Sequence, residues 1–419
     1  MAQQPNSSIF VFILILVLFV PVSADLQNQS APAVPYTITL FIPSHDMIHS
    51  AQITDMVSSP DKSVIISTSF GLSAYNGTWS TRHLDLGNIS EGLMSDYITT
   101  IEFDADGNLW IGCPEGIQIY NGVYYLVIRD QQLLKDPNIR DLQRWDNDMW
   151  VATGHAGIQR YRNGTWTWFQ PFSYDGPGFY EVSSMRLDPA TGARPAALVI
   201  ATNNDGLWIV RSHEDPVLFE EIANKSSTYG LLNQVRQDPR GGVFFFNYSE
   251  VVHYSRDKGF VPVLSRTDLT ISGTPVNDVA AANDGKLYLA TDDGIYVWED
   301  GRIYRHLSRF EGIGTSSIVK TVNIDADNRV WFSTQGYVGY YMDQSSPQST
   351  LIIENATPAV SSVPATSQLT EEVPTLREAT ISPTTDEPSA AEGSGVGISA
   401  LIDPVLRAIR TVLSGLGIH

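Results

Sequence analysis

The sequence predicts an all-β chain whose central part closes as a seven-bladed β-propeller, and three observations carry that expectation. A motif recurs every 40 to 49 residues, marked by the second-strand residues Ile65, Trp110, Trp150, Val199, Phe245, Tyr288 and Trp331. Each unit reads as four short apolar runs divided by Gly, Asn and Asp turns, with no helical periodicity between them. The run at 36–42 has no partner before the first unit, while the last unit, 319–343, has only three runs. A twisted four-stranded sheet has two apolar faces and buries both only by stacking radially on its neighbours, so the stray strand belongs to the last blade as its outer strand. Residues 36–343 then divide into seven blades of about 44 residues each.

The elements follow in chain order. Residues 1–24 read as a signal peptide: the apolar run 9–20 is followed by Pro21 and by the small residues Val22 and Ala24 that a signal peptidase reads. Residues 25–35 are a linker. The propeller is expected over 36–343, with its first run pairing to the strand around 337–342. Residues 344–395 read as a disordered stalk. Between 345 and 395, 23 of 51 residues are Ser, Thr or Pro, no aromatic residue occurs, and Arg377 is the only basic residue, so no core can form. The final segment, 396–419, is expected to hold an amphipathic helix. Asp403 and Pro404 suit its start and Gly415 its end. Val405, Leu406, Ile409, Val412, Leu413 and Leu416 share one face, opposite Arg407 and Arg410. That face can dock on protein or lie on a membrane through 404–416.

Composition narrows the function. With 26 Lys and Arg against 46 Asp and Glu, the formal charge is -20, which excludes the basic footprint of a nucleic-acid binder. A single cysteine excludes a disulfide framework and multi-cysteine zinc sites. Sequons stand at Asn28, Asn76, Asn88, Asn163, Asn224, Asn247 and Asn355, and with a signal peptide they point to an extracellular or cell-surface glycoprotein.

The best repeats are 98–122 (ITTIEFDADGNLWIGCPEGIQIYNG) and 276–301 (VNDVAAANDGKLYLATDDGIYVWEDG). Residues 92–112 (GLMSDYITTIEFDADGNLWIG) and 147–161 (NDMWVATGHAGIQRY) resemble the two-component-regulator propeller repeat. In that family such repeats build the extracytoplasmic sensing domains of hybrid histidine kinases, many of which detect saccharides. The resemblance implies a sensor-like binding module, but no kinase sequence follows here, and the units at 182–225 and 232–264 lack the second-strand Trp.

Residue-level chemistry is sparse. Asp104, Asp106, Asn108 and Glu115 imitate a calcium loop, yet Leu109 replaces the glycine such a loop needs, and the repeat explains the same turn at Asp325 and Asp327. His45 and His49 have no third ligand, and no metal or cofactor motif is recognised. Cys113 fills a slot held by Thr68, Thr153, Thr202, Thr291 and Thr334 in other units, and reads as a small buried side chain. Ligand candidates lie instead on the loops between strands two and three and between blades. They are Glu115, His155, Asn203, Asn204, Asp205, Asp292 and Asp293, with Asp96, Tyr97, Phe179, Tyr180 and Glu181 beside them. Aromatic rings among acids and amides suit a saccharide or a protein ligand, and the acids favour a neutral or cationic one. The alternatives are a lyase or glycosidase, whose acids would converge on the central channel with one pKa raised, or a structural envelope protein.

Overall fold

The computed structural model describes residues 35–343 apart from 44, 47, 83–87, 124 and 270–272. The segments expected to be a signal peptide, a stalk and a C-terminal helix, with the sequons at Asn28 and Asn355, lie outside the described residues.

Seven antiparallel four-stranded sheets form the ring. Six are built from consecutive strands, within 53–82, 100–128, 139–169, 182–223, 234–265 and 276–307, and we number these blades 1 to 6. Blade 7 has the order Tyr36–Phe41, Tyr337–Asp343, Val330–Thr334, Val319–Ile324, so the most N-terminal strand seals it from outside. The register runs from Tyr36 opposite Asp343 to Phe41 opposite Val338. Closure removes two exposed strand edges at once. Phe41 fixes the seam: its ring stacks on Trp331 at 6.1 Å and meets Trp79 of blade 1 edge-on at 5.2 Å.

The core is seven apolar clusters, each lying between two adjacent blades. The second strands supply the largest share of it, and Trp110, Trp150 and Trp331 are almost fully buried. A one-turn 3-10 helix at Arg266–Asp268 is the only helix among the described residues, and no helix there could cross a membrane.

Two repeated polar devices hold the blades. At the end of the second strand, Thr68, Thr153, Thr202 and Thr291 donate their hydroxyl to the carbonyl of the glycine opening strand three, at 2.8 to 3.0 Å. Cys113 makes the same bond to Gly116 with its thiol, at 3.3 Å. Burial pushes that thiol up to about 12, well away from nucleophilic chemistry. In the turn between strands one and two, the Asp104 carboxylate accepts the backbone N–H groups of Asp106 and Asn108 and the indole N–H of Trp110. Asp325 does the same for Asp327, Arg329 and Trp331. The calcium-like spacing is therefore a turn whose carboxylate is filled by N–H donors.

Candidate functional site

Antiparallel connectivity sends the strand-two-to-three hairpins and the blade-to-blade crossovers to one face of the ring, and the other two hairpin classes to the opposite face. All the loop candidates read from sequence therefore share the first face, but their side chains have different fates. Glu115, Tyr97 and Tyr180 are exposed. His155 is exposed and leans on Asp136 at 3.3 Å. Asn203 donates to Glu181 at 3.2 Å, while Asp205 is half-buried and gives its carbonyl to Trp208. Asp292 accepts from Lys320 at 2.7 Å and from Asn277 at 2.8 Å; burial pushes its pKa up, but these two donors prevail and hold it below the usual range. Asp293 accepts from the Tyr296 hydroxyl at 2.6 Å and lies 3.4 Å from His306. Phe179 is not on the surface: it is fully buried against Trp208.

A feature beyond those candidates dominates this face. Of 17 exposed large apolar side chains among the described residues, 12 sit on its hairpins and crossovers. Phe70, Tyr174, Leu231, Tyr248 and Phe310 are each more than half exposed. They are spread around the ring, from the hairpin of blade 1 to the crossover between blades 6 and 7. The opposite face has only Val123 and Leu218 from the same set. Single exposed apolar residues are ordinary, but these fall mostly on one face of the ring.

Of the exposed sequons, Asn76 and Asn163 lie in hairpins on that opposite face and Asn224 in a crossover. Asn163 and Gly164 both have positive φ, 48° and 82°, as a two-residue hairpin of the mirror-image type requires. Asn88 and Asn247 are half-buried.

The central channel opens on the face with Val123 as a cavity of about 320 Å³. The inner strands line it. Five of them carry a β-bulge at the same place, just before Asp55, Asp141, Ser184, Asp278 and Thr321. The bulge turns the following side chain towards the next blade. Asp55 accepts the backbone N–H of Ile101, Asp141 that of Met185, and Asp278 that of Val322. Each also accepts the N–H of its own successor. Two residues further along, Glu102, Gln143, Arg186 and Arg236 reach the cavity. Arg186 donates to Asp141 at 2.7 Å and Arg236 to Asp278 at 3.0 Å. Glu102 accepts only from the N–H of Phe103, at 2.9 Å; burial, opposed by Arg186 and reinforced by Asp55, pushes its carboxyl up to about 7. Burial likewise raises the pKa of Asp55.

No group of three or more His, Cys, Asp or Glu side chains among the described residues is placed to hold a metal ion.

Comparison with known proteins agrees with this architecture. Residues 92–115 match the model of the two component regulator propeller. The extracellular domain of the hybrid two component system BT4673 from B. thetaiotaomicron superimposes with a TM-score of 0.56 at 17% identity, covering 73% of this chain and 40% of that one. This chain thus spans about two fifths of that domain's length. A streptogramin B lyase superimposes with a TM-score of 0.55 at 12% identity, covering 73% of this chain and 97% of that one. The WD40 propeller domain of Doa1 gives 0.52 at 11%, covering 75% and 98%. At these identities the likeness is one of fold. Among curated proteins, none matches the sequence.

Proposed function

We propose that this protein is a secreted or cell-surface binding propeller, sensor-like in character, which engages a saccharide or a partner protein through its strand-two-to-three face. The observation that carries the reading is the one-sided distribution of exposed apolar side chains, Phe70, Tyr248 and Phe310 among them. Their spread around the rim fits an extended ligand better than a compact one. The acidic candidates add less negative charge than their number suggests, because Lys320 neutralises Asp292. The extracellular placement of the BT4673 domain and the seven sequons support export.

The enzyme alternative has less support. Asp55, Asp141 and Asp278 spend their oxygens on backbone N–H groups, leaving Glu102 as the carboxyl in the cavity with an uncommitted oxygen. A glycosidase needs two working carboxyls.

Photo-crosslinking tests the proposal. Benzoylphenylalanine at Tyr248 or Phe310 should capture the ligand from the native extracellular medium, and the same group at Val123 should not. Equal capture from both faces, or capture from Val123 alone, would overturn it.

A further inference from the structure

The charged cavity at the channel mouth lies on the face away from the apolar rim, and the proposed function leaves it unused. Its groups divide into those the fold consumes and those it does not. Both oxygens of Asp141 are occupied, by Leu142, Met185 and Arg186. Asp55 is filled by Met56, Thr100 and Ile101. What remains is one carboxyl oxygen of Glu102, the Nε and Nη2 edge of Arg186, whose Nη1 is shared by Asp141 and the Met185 carbonyl, and Nη2 of Arg236, whose Nε goes to Asp278 and Nη1 to the Val235 carbonyl. These come from blades 2, 4 and 5 and line one concavity of about 320 Å³, at the small end of the roughly 300–1,000 Å³ usual for small-molecule sites.

We propose that the channel mouth is a second ligand site, which takes a small zwitterion of the α-amino-acid or dipeptide class, its ammonium on Glu102 and its carboxylate on Arg186 and Arg236. Guanidinium edges read a carboxylate through paired N–H donors, and a lone buried carboxylate is completed by an ammonium. A purely anionic ligand would face Glu102, and a purely cationic one the two arginines. The upward shift of Glu102 agrees: burial disfavours its bare charge, and an ammonium beside it would offset that cost.

The test is calorimetry on the full secreted chain with the free L-amino acids and glycylglycine. At least one should bind, and its methyl ester and its N-acetyl derivative should each bind at least about tenfold more weakly. Glu102→Gln should weaken the parent ligand by a similar factor with a melting temperature no lower than the parent's. Arg236→Lys, which keeps a charge opposite Asp278, should weaken it as well. Absence of binding by every zwitterion, equal binding of the blocked derivatives, or full affinity in Glu102→Gln would overturn the proposal. Phe310→Ser should leave this binding unchanged, which separates its failure from that of the rim.

Discussion

Asp141 Oδ2 accepts the backbone N–H of Met185 at 2.7 Å, across the boundary between blades 3 and 4. The same carboxylate takes a guanidinium N–H from Arg186, also at 2.7 Å, so one buried side chain ties the strand ladder of one blade to both the backbone and the charge of the next. Removing it leaves Arg186 without its hydrogen-bonded counter-ion. Asp141→Ala is expected to cost about 3–5 kcal/mol in urea unfolding, as breaking one side of a buried ion pair does. Asp106→Ala, in an exposed turn, should stay within about 0.5 kcal/mol of the parent.

The seam at blade 7 makes a second prediction. Phe41 packs on Trp331, Tyr75 and Trp79, and so joins the closing strand to blades 7 and 1. Phe41→Ala should lower stability by about 3 kcal/mol, whereas Phe310→Ala, 81% exposed, should change it little. Matching melting temperatures for the two variants would show that the seam does not limit the ring.

Glu102 predicts a pH dependence. Its ordinary value is 4.5 and its folded value about 7, so between those limits the folded chain holds a proton that the unfolded chain has released. Stability therefore falls as pH rises through this window, by up to about 3 kcal/mol from this group alone. Glu102→Gln lacks the penalty. It should match the parent at pH 4.5 and exceed it at pH 8, read as denaturation midpoints at both values; a constant difference would contradict the assignment.

Much of this was legible in the sequence, and the illegible parts share a cause. The ring, its blade count and the pairing of 36–41 with 337–343 follow from a period and an unmatched strand, which are properties of pattern. The repeated bulge was not seen, although its signal is present: Ile53, Ile139, Val182, Val276 and Val319 each stand two residues before a short polar side chain. The exposed rim was missed because exposure is decided by packing rather than by residue type. Phe179 and Tyr180 are neighbours in one crossover, yet the first is buried and the second faces solvent. Nor does spacing show that inner-strand residues of blades 2, 4 and 5 line one cavity, since that depends on closing the ring.

Cys113 offers a small gain in stability. Its thiol is a weak donor at a slot where four threonines donate to a glycine carbonyl at shorter range. Cys113→Thr is expected to raise stability by about 0.5–1 kcal/mol, the difference between a weak and an ordinary hydrogen bond. The native thiol should also resist aromatic disulfide reagents until the chain unfolds, because it is buried and protonated.

The three buried second-strand tryptophans should respond unequally to the same change. Trp331 gives its indole N–H to Asp325 at 2.7 Å, and Trp110 gives its own to Asp104 at 3.0 Å, in each case to the carboxylate six residues earlier. Six residues before Trp150 stands Arg144, whose side chain has no acceptor to offer, and the indole nitrogen of Trp150 is buried without a partner. Replacing tryptophan by phenylalanine removes ring volume in all three, but only at 110 and 331 does it also remove a charge-assisted bond to a carboxylate. Such bonds contribute about 1.5–3 kcal/mol. Trp331→Phe and Trp110→Phe should therefore be more destabilising than Trp150→Phe by about that margin, since the last also relieves an unsatisfied donor. Urea midpoints of the three variants decide it: an equal loss in all three would mean that ring volume, and not the Asp–Trp bond, sets the cost.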